Sequence, residues 1–201
     1  ANVVVANSYG AGRPEEIKET LHTAMILAMA SGVIVLVIGV LFAPDFLLMM
    51  ASPENVIDLA SVYLRIYFLG MPALMIYNFG AAMLRAIGDT KRPLYYLLFA
   101  GVVNVGLNLI LVIGFRLGVV GVAVATTVSQ YISAGLILRC LIREKGWLHF
   151  EFRALRLDVG KMVRIMKIGL PAGLQGIVFS LSNVVIQSTI NSFGSVVMAG
   201  S

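Results

Sequence analysis

The run LYYLLFAGVVNVGLNLILVIGF, residues 94 to 115, decides the fold because its 22 consecutive residues include no charged side chain. A helix needs roughly 20 mostly apolar residues to cross the hydrocarbon of a bilayer. Runs of similar character extend from Leu21 to Ala43, Val62 to Leu84, Leu117 to Arg139 and Ile168 to Phe193, and residues 3 to 6 have the character of the end of an earlier run. The sequence therefore predicts five full spans and one incomplete span.

The composition agrees with a chain whose main solvent is lipid. Of the 201 residues, 59% are apolar and only 12% are charged, which is more apolar material than one soluble core could bury. Inside hydrocarbon only helices or closed barrels satisfy the backbone, and these runs lack the alternation of barrel strands. The predicted fold class is an all-α transmembrane helical bundle.

The cations predict the orientation of these spans. Thirteen of the fifteen Lys and Arg residues fall in alternate connections, and the other two are Arg65 and Arg116. The positive-inside rule makes the thirteen-residue side cytoplasmic, so the first, third and fifth full spans run outward. Because the cations flank spans instead of forming one continuous face, the net charge of +5 reports topology and does not predict a nucleic-acid partner.

Glycine and proline mark the predicted breaks. Ala43-Pro44-Asp45 is expected to end a helix, Gly70-Met71-Pro72 to bend one, and Gly88 and Pro93 to end one span and open the next. Apolar and basic residues between 143 and 167 predict a helix lying on the cytoplasmic membrane surface. The predicted organisation is 1–142 for the first group of spans, 143–167 for a linker with this helix, and 168–201 for a further span, with both ends cut from a longer polypeptide.

Catalytic and metal-binding patterns are missing from the sequence. Cys140 is the only cysteine, and His22 and His149 have no carboxylate or Cys at ligand spacing. All ten acids fall in predicted loops or at span ends, where they cannot form a buried acid and base pair. The sequence therefore predicts neither an enzyme nor a protein with a bound cofactor or structural metal.

Uncharged polar side chains do occur at membrane depth. Asn104 and Asn108 share one face of their span, and the next span carries Thr126, Thr127, Ser129 and Gln130 near its middle. Such oxygens can coordinate Na⁺ or bind a substrate; alternatively, they tie helices together.

The last span carries a second set of uncharged polar side chains, which must face protein or a water-filled cavity. Either substrate lining or helix packing fits their spacing. The four residues considered as substrate-lining candidates are Gln175, Ser180, Asn183 and Gln187.

Several motifs in order and spacing make the chain resemble the multidrug and toxic compound extrusion (MATE) family. They are Asn7 to Gly12, Arg85 to Pro93, Asn104-x3-Asn108, Gly118 to Thr126 and Ile168 to Gln175. The resemblance implies twelve spans in two lobes, of which this chain holds the end of span two to most of span seven. It also implies a multi-pass protein of the plasma membrane, which is the inner membrane in bacteria.

The resemblance implies a function as well: export of organic cations or amphipathic drugs by alternating access, driven by entry of Na⁺ or H⁺. Some members bind the cation with residues that match Asn104, Asn108 and Thr126, although Asn108 stands where those members have Asp. The expected partners are small-molecule drugs or organic cations, the lipid bilayer and the missing remainder of the polypeptide. Two alternatives are a lipid-linked oligosaccharide flippase of the same superfamily and a structural membrane subunit that transports nothing.

Overall fold

The computed structural model describes residues 1–49, 54–151 and 155–192, with side chains for all of these except 46, 48, 49, 54–56 and 184–192. The regular structure of these residues is helical. The elements are α1 (Asn2–Gly10), α2 (Pro14–Met49), α3 (Glu54–Leu69), α4 (Met71–Ala86), α5 (Lys91–Asn108), a π-helical segment (Leu109–Gly114), α6 (Gly118–Arg143) and α7 (Val159–Ser192).

Length and composition confirm the all-α transmembrane prediction. Helices α2, α5 with the π-helical segment, α6 and α7 each contain a stretch long and apolar enough to cross a membrane. Helices α3 and α4 pass the same test together and form one span bent by 42° at Gly70. The bend lies where the Gly70-Met71-Pro72 sequence predicts it, because Pro72 cannot donate a backbone hydrogen bond to the preceding turn.

The turn between α4 and α5 is built on a glycine in the left-handed region. Gly88 has φ +89°, its N–H donates to the Arg85 carbonyl at 3.1 Å, and the N–H of Asp89 donates to the Leu84 carbonyl at 3.0 Å. This pair of bonds satisfies the last carbonyls of a helix and ends it. Pro93 then lies in the first turn of α5. The predicted roles of Gly88 and Pro93 are confirmed.

Two predicted boundaries are wrong. Helix α2 does not break at Ala43-Pro44-Asp45 but continues through Pro44 to Met49. Proline removes only one intrahelical donor, and membrane helices tolerate this loss when neighbouring groups satisfy the freed carbonyl. Residues 159–167 do not form a separate surface helix either; they are the first turns of α7, which also continues through Pro171. Asp158 starts that helix by accepting the N–H of Lys161 at 2.7 Å.

The helices before residue 163 form one compact unit, and the residues from Val163 onward form a second. In the first unit, α2 packs against α1, α3 and α4, and α6 packs against α3, α4 and α5. The largest fully buried side chains include Leu21 at the start of α2, Leu84 at the end of α4 and Leu141 at the end of α6. The tightest core therefore lies at the end of the bundle that the charge pattern makes cytoplasmic.

Candidate functional site

The two predicted asparagines of α5 contact each other and α6 through a chain of hydrogen bonds. Asn108 Nδ2 donates to Asn104 Oδ1 at 3.0 Å, and Asn104 Nδ2 donates to Ser129 Oγ at 3.2 Å. Ser129 in turn donates to the backbone carbonyl of Thr126 at 2.7 Å. The spacing of four between Asn104 and Asn108 places both amides on one helix face, as the sequence predicts.

Thr126, the third predicted cation-binding residue, joins this chain through its backbone. Its hydroxyl donates to the Val122 carbonyl one turn earlier, at 2.9 Å. This bond uses the only hydroxyl hydrogen and leaves oxygen lone pairs available to a cation or donor. Ser129, which was not among the predicted cation-binding residues, joins the amides of α5 to α6.

A cavity of about 450 Å³ lies between α4, α5 and α6 beside this chain of hydrogen bonds. Among the described residues that line it, none is charged. The lining includes apolar side chains together with a polar set, which comprises Tyr77, Asn78, Asn104, Thr126, Ser129, Gln130 and Ser133. Since Asn104 and Thr126 lie near the middle of their spans, the cavity is at membrane depth.

Two amide oxygens in this region are buried without a partner. Asn108 Oδ1 and Gln130 Oε1 make no hydrogen bond with any residue that the structure describes. An unsatisfied buried polar group costs about 1–3 kcal/mol, so the great majority of such groups in proteins are paired. Both oxygens are enclosed by protein, and Gln130 Oε1 lies against the bend at Gly70.

Helix α6 also holds the break between α3 and α4. Thr127 Oγ1 donates to the Ile66 carbonyl at 2.8 Å, and the Tyr131 hydroxyl donates to the Leu69 carbonyl at 2.9 Å. The bend frees the Ile66 carbonyl from its regular i to i+4 bond, because the N–H of Gly70 bonds to the Tyr67 carbonyl instead. Neighbouring hydroxyls commonly satisfy such freed carbonyls inside membranes.

The end of the Gln130 side chain packs against Gly70. A Cβ atom at position 70 would lie only 1.8 Å from Gln130 Oε1. The amide of Gln130 therefore occupies the space that a side chain would fill at the bend. One residue of the cavity lining thus lies directly against the break of the neighbouring span.

The backbone changes character immediately after Asn108. Residues Leu109–Gly114 are π-helical, and Arg116 after them has φ +54°. Short π-helical insertions are rare and occur frequently at functional sites. The sequence predicted an uninterrupted α-helix to Phe115, so this segment was missed.

The predicted substrate-lining residues lie in the second unit. Gln175, Ser180 and Asn183 have exposed side chains on α7, and the side chain of Gln187 lies outside the described set. Cys140 and His22, which the sequence excludes from a metal site, are both enclosed by the fold. Cys140 is buried, and His22 is buried with its Nδ1 2.7 Å from the Lys18 carbonyl. Substrate lining by α7 stays a prediction.

Curated relatives match nearly the whole of this chain. "Probable multidrug resistance protein YoeA" of Bacillus subtilis (strain 168) is 33% identical over 97% of this chain and 44% of its own length. "FAD transporter" of Shewanella oneidensis is 26% identical over 90% of this chain and 41% of its own length. The chain thus spans less than half the length of these curated relatives.

A solved structure supports the fold independently. The crystal structure of MATE in the bent conformation superposes with a TM-score of 0.89 at 22% sequence identity, over 96% of this chain and 43% of that one. Such a likeness establishes the fold, and the apolar helices are those of a multi-pass membrane protein. The family model described as MatE matches residues 1–110, more than half of the sequence. This chain therefore belongs to the MatE family.

Proposed function

We propose that the complete protein exports organic cations or amphipathic drugs by alternating access, coupled to the entry of Na⁺ or H⁺. Family membership and relatives described as multidrug resistance proteins support drug export. The chain of hydrogen bonds from Asn108 through Asn104 to Ser129, with the unpaired amide oxygen of Asn108, supports a cation site in this part of the protein.

The chemistry of the site favours Na⁺ over H⁺ as the ion bound by these residues. Neutral carbonyl and hydroxyl oxygens replace the hydration shell of alkali cations in channels and transporters. A coupling proton instead needs a titratable group, and Asn104, Asn108, Thr126 and Ser129 offer none in the physiological range. Coupling to H⁺ at this site would therefore require a carboxylate supplied by another part of the complete protein.

The cavity beside the site suits a neutral or cationic cargo. A lipid-linked oligosaccharide carries phosphate and would favour a cationic lining, whereas the described lining of this cavity is uncharged. The relative described as an FAD transporter shows that cargo differs within similar sequences. The uncharged lining is the observation that supports a proposal of drugs and organic cations over phosphate-bearing cargo.

The test uses the complete protein in proteoliposomes loaded with a fluorescent organic cation. Export is measured under an imposed Na⁺ gradient, an imposed pH gradient or neither. The test variant is Asn104→Leu with Asn108→Leu, which removes both amides at similar side-chain volume. The control is Asn78→Leu, which removes an amide from the same cavity but outside the chain of hydrogen bonds.

We expect Na⁺-driven export by the double variant to fall by about tenfold, which corresponds to about 1.4 kcal/mol of lost ion-binding free energy. Asn78→Leu should keep its dependence on Na⁺. Equal export by wild type and double variant would remove Asn104 and Asn108 from the coupling mechanism. Absence of export by the wild type under every gradient would favour the structural-subunit alternative.

A further inference from the structure

A second cavity, of about 300 Å³, lies where α5 begins and α6 ends. Its lining includes Arg92 and Tyr96 from the first turns of α5, and Arg139, Arg143 and Glu144 from the end of α6. These residues mark the ends of two membrane-crossing stretches, which run from Lys91 and to Arg143. The cavity therefore lies at the depth of the lipid headgroups, in the leaflet that the charge pattern makes cytoplasmic.

One of the three arginines is neutralised by neighbouring acids. Arg92 forms ion pairs with Asp89 and with Glu144, and its Nη1 lies 3.5 Å from Cys140 Sγ. These contacts tie the start of α5 to the end of α6 and use both nearby carboxylates. Arg92 thus lines one wall of the cavity, and its positive charge is balanced by the two acids.

The other two arginines are not neutralised. Arg139 and Arg143 are four residues apart, so they share one face of α6, and both are exposed. Within the described residues neither forms an ion pair or a side-chain hydrogen bond. Both guanidinium groups therefore border the cavity with their donors available.

The remaining lining changes from polar to apolar with depth. Tyr96 lies one turn further into the membrane than Arg92, and Leu136 lies about one turn deeper than Arg139. Beside the opening, Leu94 and Tyr95 expose 54% and 63% of their surface. A ligand that fits must present an anion at the mouth and apolar groups below and beside it.

We propose that this cavity binds the phosphate of an anionic phospholipid headgroup. A guanidinium group presents a planar fork of donors that matches phosphate oxygens. Basic pockets between membrane helices on the cytoplasmic side are typical sites for anionic headgroups. A free phosphate ion would use the arginines but not the apolar floor, and so the lipid fits more of the lining.

The experiment measures lipids retained by the complete protein in native mass spectrometry. The purified transporter is mixed with phosphatidylglycerol or phosphatidylcholine of identical acyl chains. The test variant is Arg139→Gln with Arg143→Gln. The matched control is Lys91→Gln with Lys145→Gln, which removes the same charge from exposed positions at the same end of the bundle, outside the cavity.

We expect wild type and control to prefer phosphatidylglycerol by about tenfold, and the test variant to lose most of this preference. If the test variant misfolds, Arg139→Lys with Arg143→Lys supplies the comparison, because it keeps the charges but not the planar forks; a reduced preference then supports the site. If that lysine variant prefers phosphatidylglycerol as strongly as wild type does, the proposal is overturned.

Three other results would overturn the proposal. Wild type could show no preference between the two lipids. The Lys91 and Lys145 control could lose the preference as fully as the test variant, which would mean that net charge alone attracts the lipid. Displacement of bound phosphatidylglycerol by inorganic phosphate at equal concentration would assign the cavity to a free anion instead.

Discussion

A methyl group added to Gly32 would collide with the backbone of α4 at the bend of that span. An ideal Cβ on Gly32 would lie 2.5 Å from Pro72 Cα, 3.1 Å from Pro72 N and 3.3 Å from the Met71 carbonyl oxygen. Ordinary van der Waals contact begins at 3.4 Å. Because all three atoms belong to the backbone, no side chain can rotate away, and helices α2 and α4 must separate.

The expected cost of Gly32→Ala follows from two opposing effects. Overpacking costs about 1–3 kcal/mol, and a contact with rigid backbone belongs at the upper end of that range. The higher helix propensity of Ala offsets about 1 kcal/mol of this cost. We therefore expect a loss of about 2 kcal/mol in the free energy of unfolding, and separated helices at the bend.

The assay is the apparent Tm of the complete protein in detergent, followed by size-exclusion chromatography with fluorescence detection. Gly135→Ala is the matched control, because Gly135 lies within α6, is exposed, and an added Cβ there would meet no atom of another described residue within 4 Å outside its own helix backbone. Its Tm should equal or exceed that of wild type. A Gly32→Ala protein as stable as Gly135→Ala would refute the close approach of α2 to α4.

Three further variants test the turn, the buried tyrosine and the bend. Gly88→Ala forces a side chain into the left-handed region at φ +89° and should cost about 1–2 kcal/mol, measured as a lower apparent Tm. Tyr77→Phe removes the donor to the Pro93 carbonyl, a buried bond of 2.8 Å, and should cost about 1–3 kcal/mol by the same assay. Thr127→Val with Tyr131→Phe removes both donors to the bend and should speed hydrogen–deuterium exchange of the peptide around it.

Each of these expectations has a result that would contradict it. An unchanged Tm for Gly88→Ala would mean that the connection between α4 and α5 has another low-energy conformation. An unchanged Tm for Tyr77→Phe would mean that the Pro93 carbonyl gains another donor. For Thr127 and Tyr131, exchange as slow as in wild type would show that the bend does not depend on α6.

The sequence predicts most of the fold because the bilayer imposes a simple rule on length and polarity. Five apolar runs became four crossing helices and one bent pair, and the bend occurred at Gly70-Met71-Pro72. The effects of Pro44 and Pro171 could not be predicted in this way, because a proline ends a helix or stays within it according to what surrounds the freed carbonyl. Other helices supply those surroundings, so the sequence near each proline does not reveal them.

For the candidate site, helix periodicity predicts which side chains share a face of one helix, but not which side chains of two helices meet. A spacing of four places Asn104 and Asn108 on one face, and their hydrogen bond confirms it. The choice of Ser129 as their partner depends on the rotation of α6 against α5, which periodicity alone does not determine. The π-helical segment after Asn108 has no sequence signal that we recognise.

Two adjacent rows of side chains on α6 connect the bend with the polar cavity between α4, α5 and α6. Thr127 and Tyr131 hold the carbonyls of the bend, while Thr126 and Gln130, each one residue earlier, line the cavity with Asn104. A rotation of α6 about its axis must therefore change both sets of contacts together. Because Gln130 also lies against Gly70, straightening the bent span would displace a side chain of the cavity. The shape of the polar cavity and the angle of the bent span are thus not independent properties of this bundle.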